Sequence, residues 1–542
     1  MNLVPSFLKR NKTGGELLKQ NPVQPNHAAI LRKEAEKTRR LPNGSRVRMY
    51  DAAVTNQGNV DFPISITSSN AEILTSISAT RARARRLVRD NPYACGIQNV
   101  FSNNVAGEDP FRLDANVGKF DDSGKFIEET ETNRKLKAWW KEAGKPENCT
   151  VMRNMSRMEM YNLAVAAMVR DGGVLFRHRR AYPKNKFGYA IEPIEIDRLD
   201  HFYNRPANGT ANEIQFSIEM DEWHAPIAYW ILTRHPGDVF AYSNQPKYRE
   251  RVDAKDVVPL FNLKDRAGQY VGMSVFAPVT QRLHRIDQYD VAEMQAAIVG
   301  AIKIGFFTKN ETSDTYTASE TTPEGLKIDN IEQGVNFEEL PANYDVKEFN
   351  PNHPVEAYAA FTDQNLRSIA VGSKLSHSAV SGNYAGMSFS TGRLEKMPER
   401  ETFKVYQEHV KANLVIPHFR EALKYAMLSG ELDIPFSRYE EIADACCFKA
   451  KRWEYINPMD DVQSDILRIQ HGLDSRSNVI AESSRGGDVE SVDSEIASDK
   501  AIDEAHKLDF SQAEATKPTA PASDAAQAAK APSKAGSKKA IT

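Results

Sequence analysis

The chain has 542 residues, 41% hydrophobic and 26% charged: too long for one ordinary core and too apolar for a disordered polymer, with room for roughly three or four packing units at about 150 residues each. Seventy Lys and Arg against 73 Asp and Glu leave a net charge of −3, which disfavours tight, global gripping of duplex DNA by phosphate neutralisation but allows a wall along which a duplex slides. No run approaches the roughly 20 apolar residues of a membrane span, and MNLVPSFLKRNKTGG lacks the apolar centre of a signal peptide, so cytosolic synthesis and no membrane partner are expected.

Residues 1–50 are polar and basic, broken by Pro22, Pro25 and Pro42, and read as an arm. From Ser69 to Val105 the pattern is helical, with Ser69 or Asn70 as cap and a break at Asn91-Pro92. The cluster Arg81, Arg83, Arg85, Arg86 and Arg89 spreads around that helix, so a solvated or intersubunit salt-bridge face is favoured over a phosphate patch. RMEMYNLAVAAMVRD, Arg157 to Asp171, is an amphipathic helix stopped by Gly172-Gly173. VLFRHRR, YAIEPIEID, EIQFSIEMD and PIAYWILTR follow as strands of one antiparallel sheet, giving an α+β fold.

Pro278 to Ile304 reads as a single long helix of roughly 40 Å at 1.5 Å per residue. Phe306 to Phe349 is a small mixed excursion, and a helix from Pro354 to about Val371 returns the chain. Ser376 to Thr391, SHSAVSGNYAGMSFST, is small, polar and free of Lys and Arg, and is expected to be a mobile loop. A long helix from about Leu394 to Leu428 should kink at Pro417. A short helix around Val462 to His471 precedes the acidic run Asp488, Glu490, Asp493, Glu495 and Asp499, which carries no assigned role. The Ala/Lys/Pro/Ser tail from about Glu514 cannot form a packed core.

The usual catalytic constellations are missing. There is no G-x-x-x-x-G-K-S/T, H-E-x-x-H, G-x-S-x-G or helix-opening G-x-G-x-x-G, and Gly372-Ser373-Lys374 lacks the upstream glycine of a phosphate loop. Cys95, Cys149, Cys446 and Cys447 have neither zinc nor disulfide spacing and are read as buried thiols. His284 stands alone on a helix, and the pairs Asp121-Asp122 and Asp460-Asp461 are read as caps or turns. No catalytic residue, cofactor or metal is expected. An active site assembled from distant residues needs no local motif.

Along the chain stand, in order, RARARRLVRDNPYACGIQNVFSNNVAG, MVRDGGVLFR, PIEIDRLD, EMDEWHAPIAYWILTRHPGD, VVPLFNLKDRAGQYVGMSVFAPVTQRLHRIDQYDVAEMQAAIVGAIKIGFF, SGNYAGMSFS and WEYINPMDDVQSDILRIQHGLDSRSNVIAE. Together they resemble the lambda-like family of phage portal proteins, with a metal-dependent packaging nuclease and a non-portal capsid or scaffold protein as alternatives. The resemblance implies a dodecameric ring at the capsid vertex of the virion, without enzymatic activity, through which double-stranded DNA is packaged and ejected. It implies an N-terminal arm (1–50), a wing of helices and antiparallel sheet (51–274), a first stem helix (275–305), a small α/β clip (306–352) and a second stem helix (353–375). A channel loop (376–392), a kinked wing and crown helix (393–430), a C-terminal wing and crown region (431–513) and a disordered tail (514–542) complete the expected order. Candidate DNA-facing residues are Ser376, His377, Asn383, Tyr384, Met387, Ser388, Phe389 and Ser390, with Pro417 at the helix kink. The implied partners are other copies of the chain, the major capsid or scaffold protein, the terminase large subunit, a head-completion or connector protein, and DNA without sequence preference. Here Gly386 and Gly392 follow Tyr384 where the family usually continues directly into a helix, so a looser loop is expected.

Overall fold

The computed structural model describes residues 66–108, 110–120, 126–209, 211–238, 248–301, 305–309, 344–348, 356–453, 458–482 and 489–506. The expected arm, most of the expected clip, the pair Asp121-Asp122 and the C-terminal tail lie outside the described residues.

In chain order the elements are α1 (Ser69–Asp90), α2 (Pro92–Val105), β1 (Arg112–Ala115), β2 (Gly118–Phe120), β3 (Phe126–Glu128), α3 (Thr130–Ala143), α4 (Pro146–Cys149) and α5 (Arg157–Asp171). Strands β4 (Gly173–Arg180), β5 (Tyr189–Ile194), β6 (Glu213–Gln215), β7 (Ile218–Met220), β8 (Pro226–Leu232), β9 (Arg249–Asp253) and β10 (Val257–Phe261) follow. Then come α6 (Thr280–Ala301), β11 (Gly305–Lys309), β12 (Tyr344–Glu348), α7 (Glu356–Ser373), α8 (His377–Ser381), α9 (Phe389–Val410) and, past a π-helical turn at Lys411–Val415, α10 (Ile416–Leu428). The chain closes with α11 (Tyr439–Ala445), β13 (Cys446–Lys449), α12 (Pro458–Gln470), α13 (Arg476–Glu482) and α14 (Val489–His506).

Contacts divide the chain into two units, one of residues up to Ser76 with Asp265–Tyr270 and one holding the rest. In the first, Asn70 clasps the short segment, donating to the Gly268 carbonyl at 2.8 Å and accepting from the Tyr270 amide at 3.2 Å. The α1 cap is Ser68, one residue ahead of the expected Ser69 or Asn70: its Oγ accepts from the Ala71 amide.

In the larger unit, Asn91 accepts from the Ala94 amide and Pro92 opens α2, so the proline that ends α1 also starts the next helix. A full capping box, Ser156 with Glu159, begins α5, and Gly172 at φ 84° ends it in the left-handed region. The expected single sheet is two: a three-stranded one ordered β10-β4-β5 and a four-stranded one ordered β6-β7-β8-β9, all pairs antiparallel. EIQFSIEMD is a hairpin rather than one strand, because Phe216 and Ser217 both take positive φ, 53° and 61°. Tertiary bonds offset that strain, the Phe216 amide donating to Asn204 and the Ser217 hydroxyl to the Asp200 carbonyl.

One apolar core joins α2, α3, α5 and the α9–α10 rod. Phe101 meets Phe403 and Tyr406 edge-on, and Trp140 meets Phe419 and Phe448 in the same way. Pro417 stands in the first turn of α10 immediately after the π-turn. The wider turn loosens the ladder where the pyrrolidine ring, lacking an N–H, would press on the Asn413 carbonyl. Pro398 is a second proline, inside the continuous α9, that the expectation centred on Pro417 did not include. The acidic run lies largely on α14, where Asp493 pairs with Arg476 at 3.1 Å.

Candidate channel segment

Ser376 to Thr391 is more ordered than its composition suggests. After α7, Lys374 takes φ 62° and the Leu375 amide bonds the Ala370 carbonyl, a closing turn that redirects the chain. Ser376 then caps α8, its Oγ accepting from the Ala379 amide, and Gly382 at φ 66° ends that helix. Two carboxylates on α9 hold the N-terminal end of α8: Glu399 accepts from the Ser376 amide at 3.2 Å and Glu395 from the Ser378 amide at 2.9 Å. Lys396 completes the tie, 3.0 Å from Ser376 Oγ and 2.7 Å from Glu399. Orphan amides of a helix start donate readily to carboxylates, and here the carboxylates come from residues about 20 positions ahead.

The expected mobile loop is therefore corrected: its first third is a capped, tethered helix in which Ser376, Ser378 and Val380 are buried. Ser376 is spent on the cap and does not face solvent. His377 is half-buried, 3.1 Å from the Asp363 carboxylate. The exposed part is Gly382 to Gly386, where Asn383 Oδ1 accepts from the Ala385 amide and Tyr384 stands 61% exposed. Met387 is half-buried, Ser388 caps α9 by accepting from the Thr391 amide, and Ser390 is exposed beside it. Phe389 opens α9.

Behind this segment lies an open cleft of about 540 Å³ lined by Tyr384, Met387, Ser388, Arg393, Arg400 and Trp453, among others. The segment has no cation of its own, yet α9 brings Arg393, Lys396 and Arg400 to its rear. Each is held: Arg393 by Asp461 at 3.0 Å, Lys396 as above, and Arg400 over the Trp453 ring at 5.6 Å. Desolvation lowers the Arg400 pKa. Sequence reasoning missed Glu395, Glu399 and these cations, since nothing local links a serine cap to a glutamate 23 residues on.

Arg81 and Arg85, expected on a solvated or intersubunit face, form ion pairs within the chain, and Arg81 is buried. Arg81 binds Asp197 at 2.8 Å, and Arg85 spans Asp171 at 2.7 Å, Asp197 and Glu195. Glu195, Asp197 and His235 offer ligand atoms within 4.8 Å of one another, the one such group among the described residues. Two guanidinium groups already occupy the Asp197 carboxylate, and a divalent cation would have to displace them. Burial pushes the Cys149 and Cys446 thiols up to about 12, leaving no ready thiolate. Cys447, expected to be buried, is exposed within β13 opposite Asp114, and Cys95 and Cys446 are half-buried.

The sequence model of the phage portal protein, lambda family, matches residues 55–407. The chain belongs to that family. Its relatives include the probable portal protein of Halomonas phage phiHAP-1, 28% identical over 499 residues that cover 91% of this chain and 92% of that protein. Portal protein B of Escherichia phage lambda is 21% identical over 472 residues, covering 78% and 84%. Among solved structures, the neck of an empty GTA particle computed with C6 symmetry matches at TM-score 0.39 and 12% identity, over 74% of this chain and 92% of that one. The neck of a native GTA particle computed with C12 symmetry matches at 0.39 and 11%, over 75% and 98%.

The portal family is structural rather than enzymatic, and membership makes this chain a virion component. The matched region takes in α6, α7, α8 and the exposed turn, and ends inside α9. Pro417 and the helices α12 to α14 lie beyond it. Among the described residues no helix is long and apolar enough to cross a membrane.

Proposed function

We propose that this portal-family chain closes into a dodecameric ring at one capsid vertex and that double-stranded DNA passes through its central channel during packaging and ejection. The observation that carries the reading is the family match across residues 55–407. The ring acts by geometry, as one channel for the duplex and one platform for the terminase large subunit, the head-completion or connector protein, and the surrounding capsid or scaffold protein. ATP is hydrolysed by the motor, consistent with a sequence that has no phosphate loop of its own.

In this reading α6 and α7 form the stem, residues 306–352 the clip, and the exposed residues Asn383, Tyr384, Ser388 and Ser390 line the channel. The α9–α10 rod links wing and crown. A turn without Lys or Arg lets DNA slide, because nothing in it pairs tightly with phosphate. The cations behind it are tied to Asp461, Glu399 and Trp453. A stop codon early in the gene should yield DNA-free capsids, with packaging restored when the chain is supplied in trans. DNA-filled capsids without the chain would overturn the proposal.

A further inference from the structure

Helix α6 carries two unlike exposed flanks. With about 100° of turn per residue, Asp287, Val291, Met294 and Ile298 fall within about 60° of one another, roughly 90° to one side of the buried Leu283 and Ile286. Arg282, Arg285 and Tyr289 fall roughly 90° to the other side. The first flank is an apolar stripe with an acid at its head: Val291 is 51% exposed, Met294 63% and Ile298 57%. His284, also exposed, stands near its start. The second flank borders an open cleft of about 470 Å³ walled by Ile286, Tyr289, Phe361 of α7 and both arginines. Tyr289 and Phe361 meet edge-on at 5.1 Å, and Tyr358 is fixed by Asp290 at 3.0 Å, so the aromatic wall is preformed. Asp287, Arg282 and Arg285 have no ion pair among the described residues, unlike Asp290 with its tyrosine.

We propose that these flanks are the two halves of a head-to-tail contact between copies of this chain, the Asp287-headed apolar stripe of one seating in the Arg282/Arg285 aromatic cleft of the next. The proposal rests on the ring reading above and names the surface that closes the ring. Charge decides the pairing. Stripe against stripe would oppose two Asp287 carboxylates, and cleft against cleft would oppose four guanidinium groups, whereas stripe against cleft joins opposite charges and covers apolar surface on both sides. Faces on opposite flanks of one helix generate a heterologous contact, the kind that closes a cyclic ring rather than a two-fold dimer.

The test uses full-length chains carrying Arg285→Glu or Asp287→Arg, each purified alone and then mixed one to one, with assembly read by native mass spectrometry and electron microscopy. Arg285 is exposed and Asp287 half-buried with no ion pair to lose among the described residues, so each variant should melt close to the parent. Alone, each sets like charges against each other, and the concentration needed for assembly should rise by about tenfold or more. Mixed, every contact in an alternating ring again pairs opposite charges, and rings should return. If either variant alone assembles like the parent, or if both fail and the mixture fails too, the contact is wrong while the ring reading stands. If the parent itself forms no ring, the ring reading falls instead.

Discussion

Ser388 accepts the Thr391 amide as the cap of α9, so replacing it removes a bond commonly worth about 1 kcal/mol as well as any contact with DNA. Ala385 and Ser390 are exposed and hold no comparable cap. Substituting both with arginine should therefore leave folding and assembly unchanged while placing cations on the exposed turn. Packaging should slow at low ionic strength and recover as salt rises, each new phosphate contact adding about 0.9 to the slope of log K against log salt. The check is packaging rate in vitro over a salt series, and a double variant that packages like the parent at low salt would remove this turn from the channel. Tyr384 and Asn383 were legible in the sequence as loop residues because glycine and asparagine mark the turn there. The burial of Ser376 was not legible, since it depends on Glu399 arriving from the next helix.

Among the elements, those with their own stop and start chemistry could be read directly. Asn91-Pro92 divides α1 from α2 and Gly172 ends α5, as the residues indicated, and α6 and α7 lie close to the predicted spans. The failures are places where tertiary contact overrides local pattern. EIQFSIEMD alternates like a strand, yet Phe216 and Ser217 turn, held by the Phe216 amide donating to Asn204 and the Ser217 hydroxyl to the Asp200 carbonyl. The sequence reads as one long helix kinked at Pro417; the residues before it form a π-turn, which no periodicity announces. Pro417→Ala supplies an amide for the Asn413 carbonyl and should convert that turn to regular α-helix. The gain in helix stability should stay well below the roughly 3 kcal/mol of a mid-helix proline, because the first turn already tolerates it. The register of α10 against the core should shift, and electron microscopy should show altered ring geometry with reduced packaging. Unchanged rings and full packaging would count against a structural role for the π-turn.

Across the whole molecule, stability should depend on pH through histidines buried in the main core. His178 lies 2.7 Å from the Tyr189 hydroxyl, and burial, with Arg180 adding to it and Glu421 opposing, pulls its pKa down to about 4. His418, 3.0 Å from the Tyr161 hydroxyl, is pulled well below 6.5 by burial, with Arg157 and His178 adding to it. Both are depressed in the folded chain, so the unfolded chain binds protons first. Their contribution is complete above about pH 6.5 and is lost as pH falls towards 4, on the order of 3 kcal/mol for His178 alone. Melting temperature measured from pH 8 to pH 4 should fall mainly below 6.5, and a flat profile would contradict the neutral buried pair. The central claim, a closed ring around a channel, is tested most directly by electron microscopy of the purified full-length chain. Class averages should show twelvefold rings with an open centre, and a population of compact monomers at every concentration would contradict the account.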